Sequence, residues 1–325
     1  MKNYTVRLYQ KTDYSVWNSF VETAKNATFL FHRDFMEYHA DKFNDYSLLV
    51  FENKKLVAIV PANRVGETVY SHQGLSYGGI IINDDLSIKD YLEIGKNLML
   101  FLNENGINYL ELKQLPKIYN ATISDEIDVL NFIMKSKNFR TDTYFIIDNS
   151  ASKQPNRNRQ RAISKANNIN IQVIEDKNYS EFWDKILTPN LNTRFNVNPV
   201  HSEKEITDLA NLFQDNIKLF NAYQDSELIA GVVIFNTFSV AHFQYSSGNE
   251  ARADNAGLDI LFDYIVKKYS YKKYISFGSS SENNGLNINF GLSYWKESFG
   301  ASASTQSFYR FETKNHILID NVLNS

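Results

Sequence analysis

Two β-hairpins decide the interpretation of this chain, and the first is carried by residues 45–60, DYSLLVFENKKLVAIV. Apolar runs flank a polar turn, which is typical of two antiparallel strands. Residues 216–233, NIKLFNAYQDSELIAGVV, repeat the pattern, and Leu56-Val57-Ala58 falls on Leu228-Ile229-Ala230, 172 positions later. A hairpin that occurs twice indicates an internal repeat.

The segments that flank the two hairpins also correspond. Each hairpin follows a helical pattern and precedes a strand, a loop that contains Gly, a helix and another strand. The predicted helices span about 88–105 and 258–269, and the predicted final strands span 108–113 and 273–278. We therefore predict a tandem duplication of one α/β unit.

The predicted domains are an N-terminal unit at 1–149, a basic linker helix at 150–168 and a C-terminal unit at 169–325. The linker holds five cationic residues, and no acid occurs between Asn149 and Ile174. Two interpretations are open: a solvated amphipathic helix, or a helix that contacts phosphate.

Composition excludes several classes of function. The 325 residues contain no Cys, which excludes disulfide scaffolds, thiol nucleophiles and thiolate metal sites, and six scattered His predict no metal site. The net charge of −3 predicts no DNA partner. Without a long apolar run or an N-terminal apolar segment, we expect a cytoplasmic protein with no stable membrane insertion.

Two later segments contain the motifs that indicate a function. A strand ending at Ser246-Ser247-Gly248 leads into a loop that closes with Arg252-Ala253-Asp254-Asn255-Ala256-Gly257 and opens a helix. Backbone amides at such a position can bind phosphate. Further on, residues 287–300, NINFGLSYWKESFG, form a second helical pattern.

These motifs resemble the GNAT acyl-CoA N-acyltransferase superfamily. Its loop has Gln/Arg-x-x-Gly-x-Gly/Ala, and here Asn255 stands at the middle Gly. Its later helix has Asn at the start, then Tyr and Lys, matched by Asn287, Tyr294 and Lys296. The duplication and the final helix resemble the FemAB-like subfamily. The resemblance implies an α/β fold of two tandem GNAT-like units, each a mixed twisted sheet flanked by helices.

Amide formation needs a base, oxyanion donors and an acid for the leaving group. We predict His201 or His242 as the base; the alternative for His201 is a place in a helix cap. The resemblance implies backbone amides as oxyanion donors and Tyr294 as the acid. The predicted donor-binding residues are Gln244, Tyr245, Ser246, Arg252, Asn255, Gly257 and Asn287.

Other polar residues are predicted to bind the acceptor. They stand near strand ends or Gly-rich turns of either copy: His72, Gln73, Tyr77, Lys113, Tyr119, Arg194 and Lys296. The alternative is that they are ordinary turn residues, packing residues or solvated surface cations.

The resemblance implies transfer of an acyl or aminoacyl group to an amine of a cell-envelope precursor, such as an amino sugar, a nucleotide- or lipid-linked sugar, or a muropeptide. Acyl-CoA is the expected donor co-substrate, aminoacyl-tRNA is the other possible donor, and no permanently bound cofactor is expected. A catalytically silent binding or scaffold protein with the same fold is the alternative.

Overall fold

The computed structural model describes residues 2–151, 153–249 and 256–324, with the backbone alone at Phe195. The chain divides into two compact units. The first comprises Met1–Asp142, Asn284–Leu286 and Thr305–Ser325, and the second comprises Thr143–Asn283 and Asn287–Ser304. The division therefore lies at residues 142 and 143, and the end of the chain returns to the first unit, whereas the sequence analysis predicted boundaries at 149 and 168.

The first unit holds two small sheets and their helices. In chain order its elements are β1 (Tyr4–Leu8), α1 (Tyr14–Thr23), α2 (Arg33–Met36), β2 (Leu48–Glu52), β3 (Lys55–Val60), β4 (Asn63–Val65), β5 (Thr68–Tyr70), β6 (Ile81–Ile82), α3 (Ile88–Glu104), β7 (Tyr109–Lys113) and α4 (Glu126–Ile133). Strand β8 (Lys137–Asp148) crosses the unit boundary.

The second unit begins with the rest of β8. It continues with α5 (Arg157–Asn167), β9 (Ile171–Asp176), α6 (Tyr179–Phe182), α7 (Thr188–Phe195), α8 (Glu203–Leu212), β10 (Ile217–Gln224), β11 (Glu227–Asn236), β12 (Val240–Gly248), α9 (Ala256–Lys268), β13 (Tyr274–Ser279), β14 (Ser281–Glu282), β15 (Asn287–Ile288) and α10 (Phe290–Glu297). Strand β16 (Ser302–Glu312) begins in this unit, and its later part and α11 (Ile317–Leu323) belong to the first unit.

In the first unit, one sheet has the strand order β1-β2-β3-β6 and the other contains β4-β5-β7-β16 in that order. The predicted first hairpin is formed by β2 and β3, and its turn places Asn53 at a φ of 55°. Asn tolerates this left-handed conformation better than most residues. Helix α3 starts with a capping box between Ser87 and Asp90, which satisfies amides of its first turn.

The core of the first unit is built on the apolar face of α3. Ile94, Leu98 and Leu102 recur at helical spacing and are fully buried against strands of this unit. Burial of each such side chain contributes about 1.5–3 kcal/mol.

The sheet of the second unit has the strand order β8-β13-β12-β11-β10-β9. Strands β10 and β11 form the second hairpin, with Asp225 and Ser226 at positive φ in the turn. All neighbouring pairs are antiparallel except β12 and β13, which are parallel. This parallel pair lies between antiparallel neighbours on both sides.

The basic segment after residue 150 contains α5. Ile163 and Ala166 form its buried face, and α5 packs on α9 within the second unit. Arg159 forms an ion pair with Asp259, and its guanidinium lies 4.5 Å from the ring centroid of Phe299. At least one of the five cations therefore has a carboxylate partner inside the unit.

Candidate active site

Strands β12 and β13 run together only briefly and then diverge. Their parallel ladder has three pairs, the last of which joins His242 to Ser276. Beyond that pair β13 has an irregular register with β8 between Ser276 and Ser279, and Gly278 adopts a φ of 71°. Glycine adopts this left-handed conformation without the steric cost that a side chain adds.

On its other side β12 contains a β-bulge. Tyr245 pairs with Val233 and Phe243 pairs with Ile234 of β11, so Gln244 is the extra residue. A bulge bends its strand and re-aims the side chains around it. The bulge and the end of the parallel ladder together open a gap between β12 and β13, beyond His242.

Lys296 of α10 reaches this gap. Its Nζ donates to the carbonyl oxygens of Gly278, at 3.0 Å, and Ser279, at 2.7 Å. The residue is 4 % exposed, and among the described residues no carboxylate forms an ion pair with it. Burial lowers the pKa of Lys296 to about 7, because the ammonium loses its hydration without gaining a counter-charge.

The protonation state of Lys296 defines what it can do. A neutral amine has two N–H bonds and one lone pair. The two carbonyl oxygens accept hydrogen bonds from the two N–H groups, which leaves the lone pair of the nitrogen available for a proton. With a pKa of about 7, the amine is poised to accept and release a proton near neutral pH.

His242 lies beside Lys296. Its Nδ1 is 3.0 Å from Ser276 Oγ, and a Cβ added to Gly278 would be 3.6 Å from its Cε1. Burial, and then the charge of Lys296, lower the pKa of His242 to about 4. The imidazole is therefore neutral at physiological pH.

An aromatic cluster packs in the core of the second unit, next to β12 and β13. Phe262 contacts Phe243, Phe277, Trp295 and Phe299, with ring centroids 4.3–5.5 Å apart. These rings hold few groups that can solvate a charge. The ring beside the amine itself is that of Phe145, whose centroid lies 5.9 Å from Lys296 Nζ.

The helix that carries Lys296 starts later than predicted. Asn287 is exposed and belongs to the short strand β15, opposite Glu282 of β14. The helix begins at Phe290, and Asn289 caps it by accepting from the backbone N–H of Leu292 at 2.9 Å. The predicted start at Asn287 is therefore wrong by three residues. Tyr294, the predicted acid, is 60 % exposed on this helix.

His201 and Tyr245 lie together at a different place in the second unit. His201 is buried, and its Nδ1 is 2.6 Å from the hydroxyl of Tyr245, which also accepts from the His201 backbone N–H at 3.2 Å. Trp183 donates to the carbonyl oxygen of His201 at 3.1 Å. Burial raises the pKa of Tyr245 to about 12, so it remains a neutral phenol.

The predicted donor-binding loop is described only in part. Arg252 and Asn255 lie outside the described residues. Ser246 is exposed near the end of β12, and Gln244 is partly exposed. Gly257 packs in the first turn of α9: a Cβ there would lie 3.0 Å from atoms of both Ala230 and Ile229. Its structural effect is close contact between α9 and β11.

Apart from Lys296, the predicted acceptor-binding residues divide into three groups. In the first unit His72, Gln73 and Lys113 line one cavity. Tyr77 and Tyr119 are buried with ring centroids 4.8 Å apart, and the Tyr77 hydroxyl donates to Thr28 Oγ1 at 3.0 Å. Arg194 is exposed in the last turn of α7 in the second unit.

Sequence reasoning missed part of this arrangement. Ser276, which holds His242, was not predicted as a site residue, and Lys296 was assigned to acceptor binding rather than to a buried position next to His242. The apolar neighbours Trp295 and Phe299 in the sequence are the signal that Lys296 lies on a buried face.

Among residues 2–151, 153–249 and 256–324, no group of three His, Asp or Glu side chains can hold a metal ion. Within the same ranges no helix is both long and apolar enough to cross a membrane.

This arrangement of strands defines a class of fold: two tandem GNAT-like units, in the FemAB-like form. The predicted fold class, α/β with mixed sheets flanked by helices, is confirmed. No protein-family model matches the chain, and no curated protein matches it in sequence.

The likeness is to particular solved structures. The crystal structure of FemX aligns with a TM-score of 0.67 at 10 % identity, covering 98 % of this chain and 100 % of that one. L-PGS from Bacillus licheniformis aligns with a TM-score of 0.53 at 11 % identity, covering 83 % and 87 %. A tandem GNAT protein from the clavulanic acid biosynthesis pathway gives 0.52 at 10 % identity, covering 96 % and 99 %. At these identities the likeness concerns the fold.

Proposed function

We propose that the chain is an acyltransferase that moves an acyl or aminoacyl group onto an amine. The observation that carries the proposal is the buried Lys296, whose pKa is about 7, at the gap between β12 and β13. The fold supports it, because the resemblance to GNAT and FemAB-like proteins implies this class of reaction.

In the proposed reaction a neutral acceptor amine attacks the carbonyl carbon of the donor. A C–N bond forms, and the carbonyl oxygen takes a negative charge that backbone amides of β12 beyond His242 stabilise. The amine nitrogen gives its extra proton to the lone pair of Lys296. The bond to the leaving thiolate or alkoxide then breaks, and that group takes a proton from Tyr294 or from water.

Lys296 is a better candidate for the base than either predicted histidine. A base works best when its pKa lies near the working pH, and the pKa of His242 is about 4. His201 hydrogen-bonds to Tyr245 through Nδ1 and is enclosed by aromatic rings. We therefore propose His242 as a neutral neighbour of the base, and His201 as a packing residue.

The substrates complete the proposal. Acyl-CoA, such as acetyl-CoA, or aminoacyl-tRNA serves as the donor, and no cofactor stays permanently bound. The acceptor is an amine of a cell-envelope precursor: an amino sugar, a nucleotide- or lipid-linked sugar, or a muropeptide. A cytoplasmic location belongs to the same proposal. This part of the proposal is supported by the resemblance of two segments, the loop before Gly257 and the helix around Lys296, to those of GNAT and FemAB-like proteins.

The donor is tested first. The purified chain is titrated calorimetrically with acetyl-CoA and, separately, with alanyl-tRNA. Transfer to a panel of amino sugars and muropeptides is then followed by release of free thiol or of deacylated tRNA. Lys296→Met is expected to lower kcat/KM by about 100-fold or more, the usual contribution of a general base.

A matched variant separates catalysis from a loss of charge. Lys177→Met removes an exposed lysine of the same unit and is expected to leave the rate unchanged. Wild-type kcat/KM is expected to rise through a pKa of about 7, and in Lys296→Met only the rise caused by deprotonation of the acceptor amine is expected to remain. If neither donor binds and no transfer occurs, the proposal fails and the scaffold alternative is favoured.

A further inference from the structure

The first unit repeats the strand divergence seen in the second. Strands β5 and β7 are parallel through three pairs, the last of which joins Tyr70 to Glu111. That ladder has the same length as the ladder between β12 and β13. The chain then turns at His72, which has a φ of 63°, and a cavity of about 500 Å³ opens beside the end of the ladder.

Lys113 brings a positive charge to this cavity. Its Nζ donates to the carbonyl oxygen of Leu75 at 2.6 Å, and within the described part of the chain it forms no ion pair. Burial, and then the charge of Arg140, lower the pKa of Lys113 to about 8. The side chain is therefore mostly an ammonium at pH 7.

The other charged groups of the cavity are already paired. Arg140 donates to both carboxylate oxygens of Asp142, at 2.9 and 2.7 Å. Glu111 accepts from Arg310 at 2.8 Å. The ammonium of Lys113 is thus left as an unbalanced positive charge in a half-enclosed space, which favours an anion there.

The remaining walls combine polar residues (Ser71, His72, Gln73 and Asn284) with apolar ones (Leu112, Phe139 and Phe308). His72 is 5 % exposed, and its Nδ1 has no hydrogen-bond partner among the described residues. Burial and the neighbouring His39 lower the pKa of His72 to about 3, so the ring is neutral. Phe139 and Phe308 form an apolar wall, with ring centroids 6.2 Å apart. A cavity of this size that offers both polar groups and apolar walls can hold a small molecule.

We propose that this cavity of the first unit binds a small organic anion, a carboxylate or a phosphate ester with a flat apolar body. The anionic group contacts Lys113, and the apolar body packs against Phe139 and Phe308. The proposal does not depend on the acyl transfer proposed for the second unit.

Binding is measured with defined probes. The full chain is titrated at pH 7 and low salt with benzoate, with phenyl phosphate and with neutral benzamide. Saturable binding of at least one anion and much weaker binding of benzamide are expected. Benzoate alone assigns a carboxylate, and phenyl phosphate alone assigns a phosphate ester.

Three variants test the role of the ammonium. Lys113→Gln is expected to weaken binding about 10-fold or more, the scale of a lost charged hydrogen bond. Lys113→Arg keeps the charge and is expected to retain most of the affinity. Lys54→Gln removes an exposed lysine of the same unit and is expected to have no effect.

The pH dependence gives an independent readout. Benzoate keeps its charge between pH 7 and 9, whereas Lys113 loses its proton near pH 8, so the affinity for benzoate is expected to fall across that range. The proposal is overturned if the wild type binds neither anion at concentrations up to about 10 mM, which is well above the Kd of a weak site. Equal affinity in wild type and in folded Lys113→Gln also overturns it.

Discussion

Replacing Lys296 with Met is expected to remove a pH dependence of stability that the buried amine creates. Its pKa is about 7 in the folded chain and 10.5, the ordinary value, in the unfolded chain. Unfolding therefore takes up a proton between those pH values. Because the unfolded state binds more protons, the free energy of unfolding of the wild type rises with pH through this window.

The size of the effect follows from the same two pKa values. At about 1.4 kcal/mol per pH unit, the interval from about 7 to 10.5 corresponds to roughly 5 kcal/mol of destabilisation below pH 7. Met removes this cost, but it leaves the carbonyl oxygens of Gly278 and Ser279 without their donor, at about 1–3 kcal/mol each. The two effects oppose each other, so the stability change at a single pH does not isolate the contribution of the buried amine.

The difference between the two proteins as a function of pH is the decisive quantity. Urea unfolding of wild type and Lys296→Met is compared from pH 6 to pH 9, so that all other titrating groups cancel. The free energy of unfolding of the variant minus that of wild type is expected to fall by about 2 kcal/mol between pH 7 and 9. A difference that changes by less than about 0.5 kcal/mol, within measurement error for such extrapolations, would refute the reasoning.

Three further predictions concern neighbouring residues. Gly231→Ala places a Cβ 2.3 Å from the ring of Phe182 and is expected to destabilise the fold by about 1–3 kcal/mol in urea unfolding, whereas Gly291→Ala meets only an ordinary contact and should be neutral or stabilising. An NMR titration of His242 should show a neutral ring down to about pH 4 in the wild type. The pKa of His242 should be higher in Lys296→Met, because the positive charge of Lys296 is gone. A wild-type pKa near 6.5 contradicts this prediction. Tyr294→Phe should leave the free energy of unfolding unchanged within about 0.5 kcal/mol, since the side chain is exposed. The same change should slow transfer from acyl-CoA if the hydroxyl is the acid. An unchanged rate of transfer removes Tyr294 from the mechanism.

Local patterns predicted the repeated elements well. The two hairpins are defined by apolar runs around Asn53 and around Asp225-Ser226, and the structure places these three residues at positive φ in the turns. The helix predicted at about 88–105 is observed as Ile88–Glu104, because Ser87 and Asp90 form its capping box. Such features depend on residues within a few positions of each other, so the sequence displays them directly.

Features that depend on distant residues were not predictable in this way. The burial of Lys296 is produced by carbonyl groups 17 and 18 positions earlier in the chain, and His201 is held by Tyr245, 44 positions away. The start of α10 has a different reason. Asn287 and Asn289 are both good caps by composition, and only the strand pairing of Asn287 with Glu282 decides between them.

The two diverging strand pairs have the same arrangement of backbone but different residues beyond their last pair. Counting two residues beyond the last strand pair gives Gly278 in the second unit and Lys113 in the first. Gly278 adopts a backbone conformation that favours glycine, and its carbonyl oxygen accepts a hydrogen bond from Lys296. The second unit therefore keeps its gap open for an amine supplied by a helix, whereas the first unit places an ammonium on the strand itself. We therefore do not expect the two units to bind the same ligand.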